Sequence, residues 1–479
     1  MADFSFFWHD YETFGVQPRR DRPAQFAGVR TDAELNEIAA PVMHFCQPAP
    51  DFLPEPEACL LTGIVPQQAL RDGLPEHAFA AVVERELAHP GTVGVGYNSI
   101  RFDDEVTRHL FWRNLIDPYA REFRNDCGRW DLLDVVRCTW ALRPEGLQWP
   151  LGADGRPSFR LELLTRANGL QHDAAHDALS DVRATVALAR AVRQAQPRLW
   201  DFCLQLRRKE AVQAEIGGGN RPLLHLSGRY PVERGCMAIV LPLAPHPGNR
   251  NELIVWDLSQ PLTQLQDLDA DTIRQRLFAR SEELPEGAQR LPIKTIHLNR
   301  SPIVVGNLKT LTPAVVERFG IDVGLALRHA EQAVGLRLNP PWAEVFARPP
   351  ADTAVDVDED LYGGFIGAED RRALDRLRGL APADLAQRVA AGRVAFGDPR
   401  LEELLFRYRA RNFGPSLDAD EQLRWQQHCR DRLHGGAGGR ATVAAYQARI
   451  DLLSEQADER GQGILEALLD YAESIAPEQ

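Results

Sequence analysis

Three short segments of the sequence carry carboxylates and a histidine at spacings that suit metal-assisted hydrolysis. The first is Asp10-Tyr11-Glu12. Because residues i and i+2 of a strand face the same side, Asp10 and Glu12 can direct two carboxylates toward one point. Like charges this close repel each other unless a cation lies between them, so the pair is a candidate metal site.

The other two segments lie further along the chain. Asp103 follows Phe102 at the junction of a predicted buried strand and a predicted helix, and His176 precedes Asp181 at the start of a long predicted helix. Each has an ordinary alternative, since Asp103 suits a helix N-cap and His176 a solvated surface position. Asp181 would lie one turn inside its helix beside apolar residues, where a carboxylate needs a partner such as a metal ion.

The periodicity of the chain predicts the elements that position these residues. Strand-like runs at residues 4–8 and 91–97 are mixed with helical patterns at 103–115, 160–166 and 177–193, which indicates an α/β domain. Short β-type runs at 237–241, 253–256, 295–298 and 303–305 predict a small, mostly β domain. From residue 369 the pattern is helical, interrupted by a glycine-rich connection at 434–440 (HGGAGGR). We therefore predict domains at 1–194, 195–350 and 351–479.

Composition narrows the class of protein. The 479 residues are 44% apolar and 26% charged, without an apolar run long enough to span a membrane and without the basic, apolar start of a secretory signal, so we expect a cytoplasmic protein. The seven cysteines form no CxxC pair, which favours reduced thiols over a zinc site. A net charge of −13 argues against a uniformly basic nucleic-acid binder, although only the charge along a binding groove matters.

In order and spacing, the three segments resemble the DxE, N-x3-FD and H-x4-D motifs of the DEDDh 3′→5′ exonucleases. Longer runs, among them HDYETFG, RWDLLDVVR, HDALSDVRATVALARAVR and LLFRYRARNFGPSLDADEQLRW, are similar to bacterial exonuclease I over nearly the whole chain. The resemblance implies an α/β ribonuclease H-like exonuclease domain, followed by a small, mostly β SH3-like domain and an all-helical C-terminal domain. It also implies degradation of single-stranded DNA from the 3′ end to 5′-mononucleotides, with a role in DNA repair and recombination. The family offers no function for the HGGAGGR segment.

Phosphodiester hydrolysis at such a site uses two divalent ions. We assign Asp10, Glu12 and Asp181 to one ion and Asp10 with Asp103 to the other. Oxygen ligands favour Mg²⁺, with Mn²⁺ able to substitute. His176 is the predicted general base, because among the crowded His172, Asp173, His176 and Asp177 its spacing to Asp181 fits best.

A single-strand groove needs cations for phosphates and aromatic rings for bases, and residues 101–149 interleave both. At positions that match the family, the predicted strand contacts are Arg108, Tyr119, Phe123, Arg137 and Arg160; Glu12 and Ala178 complete the set. The resemblance further implies docking of the acidic, apolar C-terminal tail of single-strand-binding protein, for which Arg143 is the candidate cation. The alternative for Arg143 is an ion pair that holds its own turn. We expect a monomer with no membrane partner.

Two other functions remain open at this point. A DEDDh ribonuclease or a polymerase proofreading subunit would use the same carboxylates, but such proteins need only the first domain. A non-catalytic nucleic-acid-binding module would keep the fold without the chemistry, and all five predicted catalytic positions hold competent residues. The sequence therefore favours the exonuclease.

Overall fold

The computed structural model describes residues 4–172, 177–219, 221–285, 287–334, 336, 340–347 and 355–477. The chain divides into two compact units. The first unit contains residues 1–128, 172–183 and 351–479, and the second contains 129–171 and 184–350. Strand β5 (Gly128–Asp131) and helix α7 (Ala178–Ala195) contain two of the four points at which the chain passes from one unit to the other.

The first unit is built on strands β1 (Ser5–Thr13), β2 (Pro23–Thr31), β3 (Val42–Phe45) and β4 (Thr92–Gly96). They lie in the order β3-β2-β1-β4, with β1 and β2 antiparallel and β1 and β4 parallel. Phe7, Tyr11 and Phe26 of this sheet pack with apolar side chains of two helices, Glu76–Leu87 and Asp103–Arg113, and form one core cluster. Because β1 is central, its polar residues are held in a buried strand rather than at a free edge.

Helices surround these strands in the first unit. Those before the chain enters the second unit are α1 (Pro56–Thr62), α2 (Pro66–Asp72), α3 (Glu76–Leu87) and α4 (Asp103–Arg113). The C-terminal region is entirely helical in its described residues: α14 (Ala368–Arg378), α15 (Pro382–Ala390), α16 (Arg400–Asn412), α17 (Ala419–Leu433), α18 (Val443–Ser454) and α19 (Glu459–Ile475). Leu465 and Leu468 of α19 pack with Phe14 and Cys59, so the two ends of the chain share a core.

A buried group of charges joins the same two ends. Arg411 donates to Asp51 (Nη2 to Oδ2, 2.7 Å) and to Asp358 (Nη2 to Oδ2, 2.5 Å), and Arg432 donates to Asp358 at 2.9 Å. Burial raises the pKa values of Asp51 and Asp358, but the two arginines outweigh it and hold both values well below the usual range. These carboxylates are therefore ionised and paired inside the protein.

The second unit contains helices and an antiparallel sheet. Its strands are β6 (Leu223–Leu226), β7 (Met237–His246), β8 (Asn249–Asp257), β9 (Ile293–His297) and β10 (Ile303–Val305), in the order β10-β6-β7-β8-β9. Its helices are α5 (Leu132–Leu142), α6 (Leu161–Ala167), α8 (Pro197–Gln205), α9 (Lys209–Ile216), α10 (Ala270–Phe278), α11 (Pro313–Phe319), α12 (Val323–Val334) and α13 (Trp342–Val345). The four β-type runs predicted from the sequence correspond to strands β7 to β10, although β9 ends at His297, one residue before the end of the predicted run.

The state of the cysteines and the character of the helices bear on two expectations from the sequence. All seven cysteines lie in described residues, and all are buried and free of disulfides. None of the helices in the described residues combines the length and apolar character needed to cross a lipid bilayer.

Candidate active site

The site begins with the alternation of side chains along β1. Asp10 and Glu12 lie two residues apart in this strand, on the side that also receives Asp181 from the first turns of α7. One ligand oxygen from each of Asp10, Glu12 and Asp181 can be chosen so that all three lie within 4.8 Å of one another. The structure thus brings together three carboxylates that are separated by up to 171 positions in the sequence.

Asp103 completes this cluster. It is the first residue of α4, and its Oδ1 accepts a hydrogen bond from the backbone N–H of Tyr11 at 3.2 Å. The N-cap position before it is Phe102, whose side chain makes no capping hydrogen bond. Thr107 supports the arrangement, since its hydroxyl contacts the Tyr11 hydroxyl at 3.0 Å and donates to the Asp103 carbonyl at 2.8 Å.

The carboxyl groups of this cluster are buried close to one another, which raises the pKa values of two of them. Burial and the charges of Asp103, Glu12 and Asp181 raise the pKa of Asp10 well above its ordinary value. Burial and the nearby Asp181 and Asp103 raise the pKa of Glu12 to about 8. Carboxyl groups that resist ionisation to this degree gain most from a bound cation, which replaces their mutual repulsion with attraction.

One hydrogen bond places the start of α7 beside β2, and a second joins α7 to the loop that precedes it. The N–H of Ala178 donates to Oε1 of Gln25 at 3.3 Å, and Gln25 is the partner of Glu12 in the β1–β2 ladder. His172 Nε2 lies 2.5 Å from Asp181 Oδ1. His176 lies outside the described residues, and the contact of His172 with Asp181 was not foreseen, because spacing in the sequence favoured the other histidine.

The residues of the first unit that are predicted to contact the DNA strand have different environments. Arg108 is buried and forms ion pairs with Glu122 (Nε to Oε1, 2.7 Å) and Glu105 (Nη1 to Oε1, 2.8 Å). Its guanidinium also lies 5.2 Å from the centre of the Tyr119 ring. Phe123 is 65% exposed. Phe123 is thus open to a ligand, whereas a phosphate at Arg108 would compete with two carboxylates.

The remaining predicted contacts belong to the second unit. Arg137 pairs with Asp134 at 2.7 Å and lies 5.8 Å from the ring centre of Phe159. The side chain of Arg160 is 77% exposed, and its ion pair with Glu162 is long, at 3.8 Å. Arg143 donates to the backbone oxygens of Leu142 (2.5 Å) and Thr310 (3.3 Å). Within the described residues no carboxylate pairs with Arg143, so the ion-paired turn considered from the sequence does not form there.

Three family models together match most of the chain. Residues 7–189 match the family described as Exonuclease, residues 207–348 the Exonuclease I SH3-like domain, and residues 355–475 the Exonuclease I C-terminal domain. The exodeoxyribonuclease I of Escherichia coli K12 is 44% identical over 98% of both chains, and that of Haemophilus influenzae is 43% identical over 91% of this chain and 92% of its own. The chain belongs to the exonuclease I family.

Solved structures of the exonuclease I family agree with this assignment. Exonuclease I from Methylocaldum szegediense superposes with a TM-score of 0.93 at 47% identity, over 98% of this chain and 99% of that one. Escherichia coli exonuclease I in complex with a dA16 oligonucleotide superposes with a TM-score of 0.91 at 42% identity, over 99% and 100%. These findings confirm the predicted family, fold class and enzyme class, a 3′→5′ exodeoxyribonuclease. The predicted domain boundaries and the roles of individual residues stay predictions.

Proposed function

We propose that this exonuclease degrades single-stranded DNA to 5′-mononucleotides at the cluster of Asp10, Glu12, Asp103 and Asp181. The observation that supports the proposal is the convergence of Asp10 and Glu12 of β1, whose pKa values are raised, with Asp181 of α7. Relatives whose names specify exodeoxyribonuclease I, and an exonuclease I structure in complex with a dA16 oligonucleotide, support the choice of substrate. A role in DNA repair and recombination is part of the same proposal.

The residues present fit a divalent metal site. Carboxylate oxygens are hard donors that suit Mg²⁺ or Mn²⁺, and the crowding of four acids is a reason for them to hold cations. We assign Asp10, Glu12 and Asp181 to one ion and Asp10 with Asp103 to a second, with Mg²⁺ as the cofactor and Mn²⁺ as a substitute. When bound, such ions activate water and neutralise charge on a scissile phosphate. A zinc-bound form is known for Escherichia coli exonuclease I.

Two histidines compete for the role of general base. His176 is the one proposed from the sequence, and a histidine titrates in the range that proton transfer from water requires. His172 contacts Asp181 and would instead orient that carboxylate. Replacing each histidine with alanine separates the roles: we expect loss of His176 to lower kcat by about 10²–10⁴-fold and to flatten the acid limb of the pH–rate profile.

The proposed contacts with the DNA strand are Arg108, Tyr119, Phe123, Arg137 and Arg160, together with Glu12 and Ala178. The side chains of Phe123 and Arg160 are exposed, which supports stacking of a base on Phe123 and binding of a phosphate by Arg160. For Arg108, the competing pairs with Glu105 and Glu122 mean that DNA would have to displace a carboxylate or share the guanidinium.

Arg143 is the proposed cation for the C-terminal carboxylate of single-strand-binding protein. Its pairing with carbonyl oxygens rather than with carboxylates leaves the positive charge uncompensated by an acidic partner among the described residues, which supports the proposal. Titration of a tail peptide should give weaker binding to Arg143→Ala than to the wild type, with hydrolysis of naked DNA unchanged. Equal affinities would remove Arg143 from the site.

We also propose three features that were predicted from the sequence. They are a monomeric state, a cytoplasmic location, and domain boundaries at 194/195 and 350/351. Sedimentation of the full chain with and without DNA would test the first.

Substitution of the carboxylates tests the central proposal. Asp10→Asn, Asp103→Asn and Asp181→Asn should each lower Mg²⁺-dependent hydrolysis of a 3′-ended DNA strand by at least about 10³-fold, because each removes a ligand or its support. Asp420→Asn, at an exposed position in the first turn of α17, is the matched control and should retain wild-type rates. Full activity in any of the three would exclude that residue. Matched DNA and RNA strands distinguish a ribonuclease, and absence of turnover in the wild type would indicate a binding module.

A further inference from the structure

The glycine-rich segment 434–440 has no role in the site described above. It connects α17 to α18, and Gly436, Gly438 and Gly439 have φ angles of +63°, +73° and +69°, the left-handed region that other residues seldom adopt. Its shape is fixed by backbone hydrogen bonds, from Ala437 N–H to the Asp431 carbonyl at 3.0 Å and from Gly439 N–H to the Gly436 carbonyl at 3.1 Å. The segment is therefore a loop whose backbone conformation is defined by its glycines and its own hydrogen bonds.

This loop holds the connection between β1 and β2, residues 14–22. Arg20 donates from Nη1 to the Gly439 carbonyl at 3.1 Å and from Nη2 to the Gly438 carbonyl at 3.2 Å. Its Nε donates to Oε1 of Glu359 at 3.3 Å, and the same oxygen accepts from Nη2 of Arg440 at 3.1 Å. One guanidinium thus binds two carbonyls and a carboxylate, all contributed by the C-terminal region.

The β1–β2 connection starts at Phe14, one residue after Thr13 and two residues after Glu12. The ladder is regular from Phe6 to Glu12 and shifts register between Glu12 and Thr13. Both ends of the connection are anchored: the Phe14 carbonyl accepts from Glu55 N–H at 2.7 Å, and Arg22 pairs with Glu76 at 3.4 Å. Between these ends, the backbone bonds of residues 15–21 are mainly internal, such as Arg20 N–H to the Gln17 carbonyl at 2.9 Å. Val16 N–H also donates to Glu55, at 3.3 Å.

The Arg20 side chain thus makes three of the hydrogen bonds that tie residues 15–21 to the C-terminal region. We infer that Arg20 and the loop 434–440 form a clasp that fixes the β1–β2 connection, and that Arg20 is a positioning residue for Glu12. The inference rests on the proposed function only in taking Glu12 as a reacting-site carboxylate. A carboxylate that is displaced by about 1 Å can lower a rate substantially, so the clasp would affect turnover without touching DNA.

Amide hydrogen exchange on the metal-free and DNA-free protein tests the clasp itself. Arg20→Met keeps the length of the side chain but removes its donors, and should raise exchange in peptides that cover residues 14–22 by about tenfold. Arg430→Met, at an exposed position of α17, is the control and should leave these peptides unchanged. Unchanged exchange in Arg20→Met would overturn the clasp. Because neither metal nor DNA is present, this result is independent of whether the carboxylates are catalytic.

Steady-state kinetics test the positioning role. Arg20→Met should lower kcat about fivefold to tenfold with KM for DNA little changed, and Arg20→Lys should restore part of the loss. Gly439→Val perturbs the clasp from the other side, because a Cβ there has free space but the backbone becomes strained. Gly414→Val is its control, since a Cβ there also meets nothing within 4 Å and φ is not positive.

Three kinetic outcomes would overturn the positioning role. One is an unchanged kcat in both Arg20→Met and Gly439→Val. Another is an increase of KM in Arg20→Met alone, which would mean that Arg20 contacts DNA directly. The third is an equal loss of kcat in Gly414→Val, which would mean that any destabilising change in this region lowers turnover.

Discussion

Replacement of Glu12 by glutamine should stabilise the metal-free protein. Glu12 is buried among acids, and its pKa rises from 4.5 to about 8 because of burial and of Asp181 and Asp103. A carboxyl group with a raised pKa in the folded state contributes stability that is complete below pH 4.5 and is lost as the pH rises toward 8. At about 1.4 kcal/mol per pH unit, the loss at pH 7 is about 3 kcal/mol.

Glutamine does not ionise, so the variant avoids this loss. With an unfolding entropy of about 2.1 cal/mol/K per residue over the roughly 270 residues of the first unit, 3 kcal/mol corresponds to about 5 °C in melting temperature. The gain should fall below about 1 kcal/mol at pH 5 and approach about 5 kcal/mol at pH 9. Saturating Mg²⁺ should reduce or reverse the difference, because the wild type binds the ion more tightly.

Thermal unfolding in a chelator across pH 5 to 9 measures this effect. Glu466→Gln, at an exposed position of α19, is the control and should show no pH-dependent difference from the wild type. A Glu12→Gln protein that melts at or below the wild-type temperature at pH 7, with the same pH dependence, would refute the electrostatic account of the cluster.

Three further predictions concern metal, core and substrate. Mg²⁺ binding should release protons at neutral pH and tighten as the pH rises toward 8, because Glu12 and Asp10 must ionise; calorimetry in buffers of different ionisation enthalpy measures this, and zero proton release would contradict it. Arg411→Met should lower the free energy of unfolding by about 3–5 kcal/mol in urea, because Asp51 and Asp358 lose a buried partner; a loss no larger than that of the exposed control Arg430→Met would contradict it. Arg160→Gln should reduce the slope of log K against log salt for DNA by about 1, and an unchanged slope would remove Arg160 from the groove.

The sequence was most informative where local periodicity decides the structure. Helix α4 begins at Asp103 as predicted, the helix predicted at 177–193 is α7 (Ala178–Ala195), and the strand predicted at 303–305 is β10. The side-by-side placement of Asp10 and Glu12 also follows from local geometry, since it requires only the twofold repeat of a strand. The first strand extends past its apolar residues to Thr13, because pairing with β2 continues where hydrophobicity no longer marks it.

Contacts between distant segments could not be predicted in this way. Arg108 was selected as a cation beside aromatic residues, but the sequence does not show that Glu122 and Glu105 already neutralise it. Spacing identified His176 and could not reveal that His172 folds back onto Asp181. Arg20 and the segment 434–440 are more than 400 positions apart, so no local pattern relates them.

The buried pair of Asp51 and Arg411 has a consequence for synthesis of the protein. The two residues are 360 positions apart. At a translation speed of about 5–20 residues per second, Asp51 is made roughly 20–70 s before its partner. During that interval the first part of the chain holds unpaired acids and the uncovered apolar surface that α19 later packs against. We therefore expect the first unit to complete its fold only after α16 and α19 have been synthesised.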